Sequence, residues 1–335
     1  MSINNIANWI YEKGTDDNIV LYSKVSIYRN IDNMRFFYNM DKDDFEKVNT
    51  ILKPNINDIN LGLTYSRILD LSALDIRILI ENLTVPKERN LLNASLYTDI
   101  NGYISILINS NQHLEIQTIA RGLELERCFD SAYKIENMLD KKVDFAYDKK
   151  FGYLTSSPNI IGISMNLDVC MAVPCIIWKT PDNIEHLTNE CYKLGFDVTI
   201  KNGLINIKNN IMLGVTEKFI LDSIINKVKE ISEKEKKIRN RIKKIDSVKI
   251  EDRVYRSRAI LSAARTLKYR ELINHSLWLR VGLYYGMFDD IELDSLYYMF
   301  FLGKNNHLKQ LHKKNNHYRN IDEIRANTIR DIMKI

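Results

Sequence analysis

From Ile163 to Val173 the chain alternates without a break. Ile163, Met165, Leu167, Val169, Met171 and Val173 fall on one side, and Ser164, Asn166, Asp168, Cys170 and Ala172 on the other. An alternation of this length fits a β-strand and not a helix, because successive strand side chains point to opposite faces. It also predicts a mixed or antiparallel sheet, since parallel strands buried on both faces read as continuous apolar runs. The segment FDVTIKNGLINIK, residues 196–208, supplies a hairpin. Asn202-Gly203 between two alternating runs suits a two-residue type I′ turn, in which both central residues take positive φ. That turn pairs Ile200 with Ile205, Val198 with Ile207, and Asp197 with Lys208 as a cross-strand charge pair. Upstream, residues 103–108 form the apolar run of a buried strand, and the turn formers of 109–112 follow it. Leu114, Ile116 and Thr118 then alternate with His113, Glu115 and Gln117, which predicts a half-buried strand with one polar face.

Helical signals flank these strands. The first 95 residues read as helices joined by loops. Asp41-Lys42-Asp43-Asp44 opens one helix, which continues through Phe45 and Val48 to Leu52, and Ser72 opens another. Thr216 caps a long helix in which Ile220, Ile224, Val228 and Ile231 recur at helical spacing. Its continuation, Glu233-Lys234-Glu235-Lys236-Lys237, is so charged that 236–250 reads as a solvated helix end or linker. From Lys249 onward the pattern is helical. The expected fold is α+β: an antiparallel sheet flanked by helices over 1–235, followed by an all-helical C-terminal domain over 251–335.

Charge and cysteine usage narrow the function. A net charge of +5 over 335 residues is a weaker surplus than nucleic-acid binders carry. Cys128, Cys170, Cys175 and Cys191 show no metal-binding or redox spacing, so no metal site is expected. The polar start MSINNIANWIYEKG does not read as a signal peptide, and no apolar run is long enough to be expected to span a membrane. Cytoplasmic placement with reduced thiols is the expectation. There is no Walker A loop, GxGxxG or HExxH. Lys304, His307, Lys309, His312, Lys313, Lys314, His317 and Arg319 form a basic run, read as a solvated loop or, functionally, as a phosphate-capturing one. His113 reads as a structural histidine.

Five segments, in order, carry a resemblance: DNIVLYSKVSIYRN, ISILINSNQHLEIQ, FGYLTSSPNIIGISMNLDV, EDRVYRSRAIL and IDEIRANTIRDIM. They resemble the ATP:guanido phosphotransferases, the guanidino kinases, and within that family the bacterial protein-arginine kinases, over nearly the whole chain. The resemblance implies Mg-ATP as cofactor if the chain is active, and none if it is a pseudokinase. In such enzymes arginines clamp the nucleotide phosphates bidentately, and carboxylates hold the guanidinium and help take its proton. The transfer itself is largely positioning and charge stabilisation.

Carried across residue by residue, the resemblance places the nucleotide contacts at Ser23, Lys24, Ser26, Asn82, Glu115, Asn166 and Lys201. Arginines of the family stand at five of these, Lys24, Ser26, Glu115, Asn166 and Lys201, and a histidine at Asn82. Ser110 and Asn111 occupy the places of two glutamates, and Ser157 that of the reactive-loop cysteine. The tight Lys201-Asn202-Gly203-Leu204 turn stands where the family keeps a mobile loop with a second catalytic glutamate. Only Lys24 and Lys201 keep a positive charge, and a lysine lacks the arginine fork.

The helical region keeps Asp252, Arg253, Tyr255, Arg256 and Ser257. In the protein-arginine kinases it carries a phosphoarginine pocket, whose motif here reads Ile321, Asp322, Arg325, Ala326. Asp322 and Arg325 are thus candidate anion and guanidinium contacts, or else an intrahelical pair. Three readings follow. The first is a pseudokinase acting as a regulatory or binding subunit in bacterial protein quality control and stress response. The second is a working protein-arginine kinase, and the third a phosphoarginine-binding module. The implied partners are an active arginine kinase, a zinc-binding activator or a Clp-type unfoldase, with a homodimer as a further arrangement and neither membrane nor nucleic acid expected.

Overall fold

The structure is a computed structural model and describes residues 6–87, 91–179, 182–312 and 320–334. Strand β1 (Val20–Arg29) comes first, then helix α1 (Lys42–Asp58). α1 starts where the acidic cluster predicts: the Asp41 carboxylate accepts the Asp44 N–H, and the Asp44 carboxylate accepts that of Asp41. Strand β2 (Thr64–Arg67) precedes α2 (Ala73–Glu81), which opens with the same reciprocal bonds between Ser72 and Asp75. There follow β3 (Ser95–Thr98), β4 (Ile104–Ile108), β5 (Leu114–Arg121), α3 (Leu125–Asp140) and the short pair β6 (Tyr147–Asp148) and β7 (Gly152–Tyr153). Next come β8 (Met165–Ala172), α4 (Pro174–Lys179), α5 (Asp182–Lys193), β9 (Phe196–Lys201) and β10 (Leu204–Asn209). Helices α6 (Glu217–Ile245), α7 (Ser247–Ala263), α8 (Tyr269–Tyr284), α9 (Leu293–Leu302), α10 (Asn305–Leu311) and α11 (Ile321–Ile332) complete the described chain.

Eight strands form one antiparallel sheet in the order β2-β3-β4-β5-β1-β8-β10-β9. The β9–β10 hairpin has the predicted register, Ile200 opposite Ile205 and Lys208 opposite Asp197, with Asn202 and Gly203 at φ 54° and 84°. One face of the sheet buries Val25, Ile27, Ile116, Leu167 and Val169 against α1, α3 and α6. On the other face, α2 covers Leu96 and Leu107 at one end. Helices α8 and α9 cover Tyr22, Cys170, Ala172 and Leu204 at the other, through Ile273, Leu277, Tyr297 and Phe301. A stretch of sheet between these two covers is left to form a pocket.

Four expectations need correction. The first 95 residues are not only helices and loops. Residues 20–29 form β1, the strand between β5 and β8, and its consecutive apolar residues Val20, Leu21 and Tyr22 are buried because both faces of the sheet are covered. For the same reason β5 is buried along its whole length rather than half-buried. Residues 236–250 are not solvated all round: one side is exposed and the other is packed into the fold. Helix α6 runs through to Ile245, and Arg239, Ile242 and Ile250 are buried. The basic run is not a solvated loop where it is described. His307 is buried in α10, and the Lys304 ammonium donates to the Glu81 carbonyl (2.6 Å). Burial lowers the Lys304 pKa to about 8. Lys313, Lys314, His317 and Arg319 lie outside the described residues.

Candidate nucleotide-site pocket

Side-chain alternation on four adjacent strands lays a polar floor in the uncovered stretch, and a pocket of about 460 Å³ stands over it. Strand β1 sends Tyr22, Lys24, Ser26 and Tyr28 to this side, β8 sends Asn166 and Asp168, β10 sends Asn206 and Lys208, and β5 sends Glu115. The end of α2 and the turn after it supply an apolar wall of Ile80, Leu83, Val85 and Pro86, with Lys87 at its margin. Ser157, Asn159 and Ile160 close the remaining side.

The strand register sets the charges. Lys24 stands opposite Asp168 on β8, and Asp168 stands opposite Lys208 on β10, so a cation–anion–cation row crosses three strands. The Lys208 ammonium lies 3.3 Å from the Asp168 carboxylate. Asp168 also accepts from the Asn206 amide (3.0 Å), which donates as well to the Tyr22 hydroxyl (2.9 Å). Burial, and then the neighbouring Asp168 charge, raise the Tyr22 pKa well above its ordinary value. The Asn166 amide donates to the Tyr28 hydroxyl (3.0 Å), a contact along the floor. Glu115 is 1% exposed and Asp168 5%. At an effective dielectric of about 20, a phosphate oxygen about 4 Å from either carboxylate would meet roughly 4 kcal/mol of repulsion per unit charge. The floor thus sets two buried carboxylates, Glu115 and Asp168, among the lysines Lys24 and Lys208.

The pocket brings together Lys24, Ser26, Glu115, Asn166 and Ser157. It does not include the other expected positions. Ser23 points to the opposite face, where its hydroxyl donates to the Gly122 carbonyl (2.7 Å) and accepts from the Glu124 N–H (3.1 Å). Asn82 lines a separate cavity of about 270 Å³ behind β2 and β3. Lys201 is exposed at the end of β9, beside a turn whose Gly203 abuts Leu277 of α8. Ser110 is buried, with its hydroxyl 3.5 Å from the Glu115 carboxylate, and the half-buried Asn111 does not line the pocket. Asp168 and Lys208 were missed as site residues, although strand alternation already placed Asp168 beside Asn166. The predicted Asp197–Lys208 pair is opposed in register, but the ammonium turns to Asp168, and Asp197 accepts instead from the Asn210 amide (2.6 Å).

Asp322 and Arg325 do come together, within a network of internal hydrogen bonds. Arg325 is 1% exposed and donates to the carbonyls of Gly303 and Leu267 (2.7 Å each), to Asp322 and to Asn305. A guanidinium so engaged cannot offer its fork to a phosphate. Among the described residues no group of three His, Cys, Asp or Glu is placed to hold a metal ion, and no helix is long and apolar enough to cross a membrane. The four cysteines are buried, and burial raises the pKa of each thiol.

His113 is structural, as read from the sequence. Its Nδ1 accepts the Ile31 N–H (3.0 Å), and its Nε2 donates to the Arg35 carbonyl (2.9 Å). Burial lowers its pKa from 6.5 to about 4. The neutral ring is the folded form, so its contribution is complete above pH 6.5 and is lost as the pH falls toward 4. The loss over that interval is about 3 kcal/mol at most. Urea unfolding of wild type and His113→Gln across this range is expected to show a smaller slope of stability with pH in the variant. Parallel slopes would count against this structural role for His113.

Comparison with known proteins follows the same lines. The family description "ATP:guanido phosphotransferase, C-terminal catalytic domain" matches residues 45–238. "Protein-arginine kinase McsB C-terminal domain" matches residues 247–335. A protein-arginine kinase from Halothermothrix orenii is 28% identical, over 92% of this chain and 91% of that protein. One from Bacillus cereus is 26% identical over 88% of each. Among solved structures, the substrate-free duplicated taurocyamine kinase from Schistosoma mansoni superposes with a TM-score of 0.57 at 19% identity, over 70% of this chain. The chain spans 34% of that duplicated protein. A lombricine kinase superposes with a TM-score of 0.57 at 14% identity, over 69% of each chain. These two likenesses are likenesses of fold.

Proposed function

This chain belongs to the ATP:guanido phosphotransferase family, and from that footing we propose that it is a protein-arginine-kinase homologue without phosphoryl-transfer activity. It is a pseudokinase that serves as a binding or regulatory subunit in bacterial protein quality control. The observation that carries this reading is the pair of buried carboxylates, Glu115 and Asp168, on the floor of the pocket where the family's phosphate clamp belongs. Mg-ATP does not fit that floor. Asp168 lies between Lys24 and Lys208 and offsets their charge, and among the described residues no arginine lines the pocket. The positions of the two family glutamates hold Ser110 and Asn111, neither of which can take a guanidinium proton as a carboxylate does.

A second reading, an active kinase with a rearranged site, draws on Lys24, Lys87 and Lys208 around the same pocket. The third, a phosphoarginine-binding module, is weakened by the engagement of Arg325. Kinship with the relatives suggests as partners an active protein-arginine kinase, a zinc-binding activator, a Clp-type unfoldase or a second copy of this chain, met in the cytoplasm. Incubation with Mg-ATP and an unfolded, arginine-rich protein separates the first two readings. No acid-labile phosphate above the enzyme-free background is expected. Sustained turnover would establish the kinase instead.

A further inference from the structure

The charge of this chain is unevenly spread, and the largest surplus apart from the basic run at 304–319 lies where α6 meets α7. Residues 234–258 hold 11 Lys and Arg against 4 Asp and Glu, a surplus of seven where the whole chain's is five. Within that stretch Lys234, Lys237, Arg241 and Lys244 recur at i, i+3, i+7 and i+10 of α6, which places them on one helix face. That face lies away from the buried Ile231, Glu235, Arg239 and Ile242. The other cations of the segment have partners: Lys236 pairs with Asp16 and Glu233, Lys249 with Asp246, and Arg256 with Asp252. The four stripe cations make no ion pair among the described residues. At 1.5 Å per residue the stripe is about 15 Å long. It ends at an elbow between α6 and α7 where Ile245 and Val248 are 71% and 73% exposed.

We propose that the α6 stripe and the α6–α7 elbow form a docking surface for an acidic, amphipathic helical segment of a partner protein. Carboxylates at the same three- and four-residue spacing would face the four cations in turn. Apolar residues at one end of that segment would cover Ile245 and Val248. A nucleic-acid backbone could meet the cations but would leave the two aliphatic side chains in water, which is why a protein segment fits better. The surface is separate from the pocket, so an ATP-binding wild type would overturn the pseudokinase reading and leave this surface untouched.

The probe is a fluorescent synthetic helix of about four turns, with glutamates at the stripe's spacing and leucines at one end. A scrambled peptide of the same composition, a short DNA duplex and phosphatidylglycerol vesicles are run alongside it. The ordered peptide is expected to bind more tightly than the other three. The Lys237→Glu, Arg241→Glu, Lys244→Glu variant should bind it roughly tenfold more weakly or worse. An Ile245→Ser, Val248→Ser variant should weaken the peptide and leave DNA unaffected. All five side chains are exposed, and circular dichroism checks that both variants fold. Equal binding of the scrambled peptide, tighter binding of DNA or vesicles, or no binding by any probe would each overturn the proposal.

Discussion

Replacing Arg325 with alanine is expected to cost about 3–5 kcal/mol of stability, the magnitude seen when one partner of a buried charged network is removed. The guanidinium joins the loop before α8 through the Leu267 carbonyl, the end of α9 through the Gly303 carbonyl, the start of α10 through Asn305, and its own helix α11 through Asp322. Alanine leaves those four acceptors without it, and burial keeps water from taking its place. Lysine does not repair the site, because one compact ammonium cannot match a planar fork directed at several helix ends. Urea unfolding of the two variants should therefore give similar losses, with hydrogen exchange rising first in α9 to α11. A loss below about 1 kcal/mol in Arg325→Ala would mean that the residue is not a structural hub and would return it to the list of ligand contacts.

A comparable loss, again about 3–5 kcal/mol, is expected for Glu235→Ala. Glu235 and Arg239 are both fully buried, 2.8 Å apart on successive turns of α6. The carboxylate also accepts the N–H groups of Cys175 (3.2 Å) and Ile176 (2.8 Å) at the start of α4, and Arg239 donates to Asn18 (2.6 Å). Alanine strands the arginine charge inside the protein and removes the acceptor for two backbone donors at once. The Glu235→Leu, Arg239→Met double variant is expected to recover most of the loss, because a buried pair is costly to break and much less costly to replace whole. Equal destabilisation of the single and double variants, read from urea midpoints, would contradict that account.

Those two residues also mark the limit of what could be read from the chain. Period-two alternation located β8, and Asn202-Gly203 located the β9–β10 hairpin and its register, because strand geometry and turn chemistry are local. The caps at Asp41, Ser72 and Thr216 placed three helix starts for the same reason. Glu235 and Arg239, by contrast, sit in a run of charge that looks solvated, and only the packing of α4 and the N-terminal loop against α6 buries them. Strand β1 was missed because cover on both faces lets Val20, Leu21 and Tyr22 follow one another without alternation. In the pocket, the resemblance supplied Lys24, Ser26, Glu115, Asn166 and Ser157, which the fold brings together. It also supplied Ser23, Asn82 and Lys201, which face elsewhere. The row Lys24–Asp168–Lys208 depends on the pairing of three strands distant in sequence, so no local pattern could announce it.

The central claim is that this floor no longer accepts a nucleotide, and calorimetric titration with Mg-ATP tests it most directly. The wild-type protein is expected to show no heat of binding, while a Glu115→Arg, Asn166→Arg variant, with charge returned to two clamp positions, gives a measurable isotherm. Micromolar binding by the wild type would contradict the account: the lysines of the pocket would then outweigh Glu115 and Asp168, and the chain would have to be treated as a kinase.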